Sequence, residues 1–313
     1  MIDIISVGAA TVDIFVKSAD FKVEEEKLIL EHSSKNEISN SLITSGGGAT
    51  NSAVSFSRLG LKSACLSLLG SDPLSNYVLQ DLASNQVSTN LLIQPKTEIT
   101  DFSVILVATD GGRTVLTQRG STHLEINQIP WSKLKSTKWL YVTSLEGNLD
   151  LLEHLIGFAK DNHIKIALNP GNRELHQPAK LISLFRHLDF LLLNKTESQM
   201  ITNLNSTDKN FWTTLSSYQV PVVAVTYGRQ GAYVITPQEK LFSPILNTTP
   251  VDETGAGDSF GSAFVAALAH HLTPTQALEW GITNSASVVS YLGAKQGLLT
   301  IKEISSASET RKK

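Results

Sequence analysis

Short, mostly aliphatic runs recur along this chain: Ile2–Val7, Ala64–Leu69, Trp139–Thr143, Lys165–Leu168, Phe190–Leu193, Val222–Val225 and Tyr233–Ile235. Each is too short for a helix, and apolar residues fall on both alternating faces, as in strands buried between two layers. Between them the apolar positions repeat at three and four residues. Ala53, Val54, Phe56 and Leu59 make one such stripe, closed by Gly60; Phe260, Ala263, Phe264, Ala267 and Leu268 make another. Pro73–Ala83 and Ala277–Leu292 also suit helices, and a further helix is expected from Ser198. Strands alternating with helices predict an α/β fold with a doubly wound, mainly parallel sheet flanked by helices. Two regions break the alternation. Residues 21–44 alternate loosely, and Ile99–Ala108 and Arg113–Gln118 flank Thr109-Asp110-Gly111-Gly112, a hairpin signal. The polar Ser305–Lys313 is expected to fray.

Composition narrows the function classes. The chain has 313 residues, 41% hydrophobic and 18% charged, which suits one large α/β domain or two small ones. A formal net charge of −3 gives no nucleic-acid footprint, and Glu24-Glu25-Glu26-Lys27 reads as a solvated segment. Cys65 is the single cysteine, set in an apolar run, so it reads as a buried thiol without a disulfide partner. The chain opens on a strand-like segment and has no run of 18 apolar residues, which points to a cytoplasmic protein without membrane spans. No Gly-x4-Gly-Lys-Ser/Thr, Gly-x-Ser-x-Gly or metal-spaced His/Cys cluster is present, and His270-His271 are adjacent and cannot share a helix face. No Gly-x-Gly-x-x-Gly follows the first strand, which argues against a dinucleotide-binding dehydrogenase.

Residues 251–270 hold the most informative chemistry. Asp252 and Asp258 bracket Gly255-Ala256-Gly257, directly before a small-residue apolar helix. Glycines at a helix start leave N–H groups uncovered at the positive end of the dipole, a setting that suits phosphate. Asp258 falls in the first turn, where it can take a proton from a hydroxyl held against that anion hole. A simple capping Asp and a tight Gly turn explain the same features taken singly. Gly46-Gly47-Gly48-Ala-Thr-Asn51 opens a second helix, and Asn51 can both donate and accept toward hydroxyls. Asn194-Lys-Thr-Glu197 after a strand reads, taken alone, as a capping box.

Asp252-Glu-Thr-Gly-Ala-Gly-Asp258-Ser-Phe and Gly46-Gly47…Asn51…Arg58-Leu-Gly60 resemble the two signatures of the PfkB (ribokinase-like) carbohydrate kinases. The likeness spreads from Asp13 to Asn284. It implies a ribokinase-like fold in one domain, 1–313, with a small inserted β-lid from about 15–44 and 99–119. It implies phosphoryl transfer from ATP, with Mg²⁺, to a hydroxymethyl group of a sugar or sugar-like acceptor. By resemblance Asp258 is the base, and Gly255, Ala256 and Gly257 form the anion hole. Asp13, Gly46, Gly47, Asn51 and Glu146 hold the acceptor, although helix capping explains Glu146 equally well. Asn194, Glu197, Thr226, Gly228, Gly231 and Asn284 fall on the nucleotide side, Glu197 reaching Mg²⁺ through water. Asp252 organises its loop or helps hold K⁺, and the lid strands pair in a homodimer. Gly48 stands where ribokinase itself tends to have Lys, which weakens an assignment to ribose. Arg113 and Arg119 read either as solvated hairpin residues or as contacts to an acidic acceptor. The alternatives are a nucleoside kinase, with Phe15 or Phe102 stacking on a base, and a non-catalytic sugar or nucleotide sensor.

Overall fold

A computed structural model describes residues 1–109, 112–119 and 123–311. An eight-stranded sheet runs, in spatial order, Lys240–Ser243, Ala232–Ile235, Val222–Thr226, Phe190–Asn194, Lys165–Leu168, Trp139–Val142, Ile4–Val7 and Ser63–Leu66. All pairings are parallel except the two that involve Ala232–Ile235. Side chains alternate between two cores. Leu140 and Val142 join Leu152, Leu155 and Phe185 on one face, while Trp139 and Tyr141 join Phe56, Phe190 and Phe264 on the other. Burying a side chain the size of Phe264 stabilises the fold by about 1.5–3 kcal/mol, and Phe190 and Phe264 stack with centroids 4.8 Å apart. Cys65 is buried, and burial pushes its thiol up to about 12.

A second sheet of four strands runs Asn40–Gly46, Thr11–Lys17, Asp101–Val107, Arg113–Gln118. The main-sheet strand ends at Val7, and the chain enters this second sheet at Thr11, so Asp13 lies within it, opposite Thr44 and Ser103. The small sheet thus begins earlier than residue 15, because the apolar alternation continues back through Val12. Arg113–Gln118 is an exposed edge strand. The predicted turn residues Asp110 and Gly111 lie outside the described residues. Lys22–Glu24 and Lys27–Ile29 form a separate hairpin, turning through Glu25 and Glu26 at φ 48° and 62°.

Three boundaries differ from the sequence reading. The helix after Phe190–Asn194 begins at Lys195 rather than Ser198, because Asn194 and Glu197 cap it reciprocally. The helix expected at 277–292 spans Pro274–Val288, started by Thr273 and Pro274. The C-terminal segment expected to fray instead forms a helix, Ile301–Arg311, held by buried Ile304 and by Glu303 accepting from Thr300 N–H at 2.8 Å; Lys312 and Lys313 lie outside the described residues. Among the described residues no helix is long and apolar enough to cross a membrane.

Candidate active site

The helix Ala256–Ala269 starts from Gly255, whose φ of +75° is left-handed and favours glycine. An added Cβ on Gly255 would lie 2.4 Å from Ala294 Cβ, so the loop also needs its smallness. A Cβ on Gly257 would meet nothing within 4 Å, so that backbone faces open space where a ligand can approach. Asp258 occupies the first turn, and its Oδ2 accepts from Asn51 Nδ2 at 2.8 Å. This contact joins the two motifs across 207 positions of sequence. Burial pushes the Asp258 carboxyl above the usual carboxylate range, while the Asn51 hydrogen bond and the Lys295 ammonium pull it back.

Asn51 belongs to the helix Gly48–Arg58, which the glycine loop leads into. Its Oδ1 is buried without a hydrogen-bond partner, a free acceptor beside Asp258. Gly46 packs on Asp13, and a Cβ there would lie 2.1 Å from Asp13 Oδ2. Gly47 sits at φ +93°, with room for a Cβ taken by Ala9 O at 2.4 Å. The loop therefore passes over the Asp13 carboxylate in a way no larger residue permits. Burial raises the Asp13 carboxyl, and Asp252 and Asp258 add to the rise, against the lowering by Ser103 and Lys295. Asp13, Asn51 and Asp258 form one constellation.

Asp252 is buried and held by three donors. Its Oδ1 accepts from Thr254 N–H at 2.7 Å and from the Arg113 guanidinium, and its Oδ2 accepts from Gly293 N–H at 2.8 Å. Burial opposes its ionised form, but these donors hold its carboxyl below the usual range. Three donors on this carboxylate fit the loop-organising role, and Oδ2, with a single donor, keeps a lone pair for a cation such as K⁺.

Glu146 lines a small pocket with Gly8, Ala9, Ala10 and Asp101, in a left-handed conformation, φ 57°, followed by Gly147 at φ 88°. Its carboxylate pairs with Arg119 and, at 3.3 Å, with Arg173. Both hairpin arginines that sequence left ambiguous, Arg113 and Arg119, thus meet carboxylates outside the small sheet. Beneath Glu146 lies Glu174, 1% exposed. Its Oε1 accepts from Leu145 N–H at 2.6 Å and Gly147 N–H at 2.9 Å, and its Oε2 from Gly171 N–H at 3.0 Å and the Ser144 hydroxyl at 3.2 Å. This buried carboxylate shapes the loop that presents Glu146. Sequence reasoning missed Glu174, Arg173 and Lys295; the capping position of Glu174, three residues after Gly171, was the one local signal for it.

On the other side of Gly257 opens a cleft of ≈ 560 Å³. Asn194, Thr226, Gly228 and Gly231 line it together with Ala256 and Gly257, and Ile245, Leu246, Ile282 and Val289 give it an apolar wall. Glu197 lies one turn from Asn194, and the two hold each other: Glu197 N–H donates to Asn194 Oδ1 at 2.9 Å, and Asn194 N–H donates to Glu197 Oε2 at 2.7 Å. A nucleotide-borne Mg²⁺ keeps most of its waters, so an oxygen-bearing rim of this kind fits it without a protein cage; no group of three or more acidic, His or Cys side chains among the described residues forms such a cage. Asn284 is not brought to this cleft. It is fully buried, donating to Ser55 and Ser259 and accepting from Leu299 N–H at 3.0 Å. Phe15 is buried as well, whereas Phe102 is half-buried against the small core around Val12.

The geometry has counterparts. The model of the pfkB family carbohydrate kinase matches residues 1–301. A ribokinase of Haemophilus influenzae is 26% identical, the match covering 83% of this chain and 86% of that protein. Among solved structures, a putative ribokinase II of E. coli, described in complex with ATP and Mg²⁺, has a TM-score of 0.83 at 19% identity, covering 99% of this chain and all of that one. A nucleoside kinase of Methanocaldococcus jannaschii has a TM-score of 0.81 at 22% identity, covering 99% of each chain. These two show a shared ribokinase fold. With the family match running from the first strand to the last helix, the chain belongs to the pfkB family of carbohydrate kinases, enzymes that transfer phosphoryl groups to an alcohol.

Proposed function

We propose that the chain transfers the γ-phosphoryl group of ATP to a hydroxymethyl group of a sugar or sugar-like acceptor. The observation that carries this reading is the 2.8 Å bond between Asn51 and Asp258, which sets an acceptor-side amide against a carboxylate at a helix N-terminus. Asp13 and the free Oδ1 of Asn51 receive acceptor hydroxyls, Gly46 and Gly47 allow their approach, and Glu146 meets the far end. Asp258 removes the hydroxyl proton as that oxygen bonds to the γ-phosphorus and the bond to the ADP oxygen breaks. The Gly255 and Gly257 amides receive the charge on the transferring oxygens, whereas Ala256 N–H, expected to share in this, is turned to Glu253 O at 3.2 Å. Asn194, Thr226, Gly228 and Gly231 border the phosphates and ribose, and the apolar wall takes the base. Mg²⁺ carried by the nucleotide neutralises phosphate charge, with Asn194 and Glu197 as the residues that would hold its water shell.

The small sheet acts as a lid in this reading, tied to the body through Arg113–Asp252 and Arg119–Glu146 and excluding water when the acceptor is bound. Its exposed Ile43, Val115 and Leu116 suit pairing with a second copy of the chain, which sedimentation would report as a dimer lost in Leu116→Lys.

The test is ADP release with ATP and Mg²⁺ across pentoses, hexoses, sugar acids, sugar phosphates and nucleosides, with Asp258→Asn as the blank. Turnover confined to one acceptor class and absent from the blank is expected. Equal turnover in Asp258→Asn would remove the mechanism, and turnover with nucleosides alone would replace the sugar by a ribose-bearing base.

A further inference from the structure

The segment between the last two helices touches both halves of the site. Gly293 N–H holds Asp252 Oδ2, and Ala294 packs on Gly255. The next residue, Lys295, turns its side chain beneath the glycine loop and is 5% exposed. Its ammonium donates to Thr50 Oγ1 at 2.9 Å, to Asp81 Oδ2 at 2.8 Å and to Ser45 Oγ. Three N–H donors thus meet three acceptors, from the strand Asn40–Gly46, the helix Gly48–Arg58 and the helix Ser75–Ser84. Arg58, on the same helix as Asn51, secures the segment by donating to Lys295 O at 3.0 Å and Leu298 O at 3.1 Å.

Burying an ammonium costs several kcal/mol unless it is paired, and two hydroxyls can be pinned by an uncharged amide at less cost. The charge has another use. Asp252 and Asp258 both lie close enough to Asp13 to repel its charge. Arg113 compensates Asp252. Asp13 and Asp258 both feel Lys295 as their attractive charge. Around these groups stand Asn51 and Tyr141 beside Asp258, Ser103 beside Asp13, and Asp81 and Cys65 beside Lys295, with Arg58 facing Asp81.

We propose that Lys295 is a positioning residue of this kinase: it fastens the Ser45–Asn51 loop to the Asp252–Asp258 loop and holds a fixed positive charge behind Asp13 and Asp258. The inference rests on Asp258 being the base. It concerns a residue that never touches the acceptor and acts through the two carboxylates that do.

The experiment is the pH dependence of kcat/KM in wild type, Lys295→Met, Lys295→Arg and Asp81→Asn, using the acceptor turned over fastest in the panel, with folding checked by circular dichroism. Removing the cation makes Asp258 harder to ionise, so Lys295→Met moves the acid limb up by about one pH unit. Asp81→Asn leaves the ammonium less neutralised and moves the same limb down, and Lys295→Arg returns it toward wild type. A merely structural lysine lowers activity in these variants without opposite shifts. Coincident limbs, or shifts of one sign in Lys295→Met and Asp81→Asn, overturn the proposal; if Lys295→Met does not fold, an unmoved limb in Asp81→Asn overturns it alone. Asp258→Asn separates the two readings: inert with coincident limbs, only the role of Lys295 falls, whereas an active Asp258→Asn removes the base and this inference with it.

Discussion

Glu174 offers the sharpest test of how the acceptor end is built. Glu174→Gln keeps one oxygen, which can still serve Leu145 and Gly147 N–H at the positions now 2.6 and 2.9 Å from Oε1. The other end becomes an NH₂ donor facing Gly171 N–H and the Ser144 hydroxyl. The hydroxyl can turn and accept; the Gly171 amide cannot. One orphaned buried N–H costs about 1–3 kcal/mol, and loss of the charge weakens the two remaining bonds by roughly 0.5–1 kcal/mol each. The sum is about 2–5 kcal/mol, and at roughly 2 °C per kcal/mol for a large domain it predicts a fall in Tm of about 4–10 °C. The loosened loop carries Glu146, which costs strain to hold at φ 57°. The acceptor KM is therefore expected to rise several-fold while the ATP KM stays near wild type. Calorimetry and initial-rate kinetics on one preparation measure both. A Tm equal to wild type would refute the hydrogen-bond accounting, and equal changes in both KM values would refute the assignment of this loop to the acceptor.

Other variants probe the rest of the site. Asp258→Asn is expected to lower kcat by roughly 10²–10⁴-fold with ATP affinity retained. It should also raise Tm at neutral pH: a carboxyl whose folded pKa is raised loses stability as pH climbs through that pKa, so the Tm gap should open with rising pH, and a gap constant from acid to neutral pH would contradict it. Asn51→Ala should raise the acceptor KM more than the ATP KM, and the reverse order would put the glycine loop on the wrong ligand. Arg113→Ala removes the one cation paired with Asp252 among the described residues and frees a lone pair on Oδ1, so K⁺ should raise the Tm of the variant more than that of wild type; equal responses would mean the guanidinium does not occupy a cation's place. Gly261→Ala would set a Cβ 2.2 Å from Tyr141 Oη and 2.7 Å from Leu192 Cδ2, an overpacking expected to cost about 1–3 kcal/mol in denaturant melts.

What sequence made legible was what neighbouring residues decide together. The helix start at Ala256 and the reciprocal cap of Asn194 and Glu197 are written within a few positions, because backbone φ and end-capping are local. Asn284 shows the limit of that method. The small-residue helix does line the cleft, through Ile282, Ser285, Ala286 and Val289, which are spaced i, i+3, i+4, i+7. Asn284 falls off that stripe and faces the neighbouring helix. The periodicity that located the helix, applied one step further, separates a lining residue from a packing one.

Charge compensation is harder to read, because its partners are chosen by the fold and not by the segment. Lys295 meets its three acceptors across 214 to 250 positions, and Arg113 reaches Asp252 across 139. Nothing in Gly293-Ala-Lys-Gln-Gly297 distinguishes a buried ammonium from a solvated loop lysine. Yet carboxylates close enough to repel one another in partial burial cannot all stay ionised without nearby positive charge. The sequence reading had already gathered Asp13, Asp252 and Asp258 by resemblance. Their convergence alone demanded cations at their backs, and the structure fills that demand with Arg113 from the small sheet and Lys295 from the final loop.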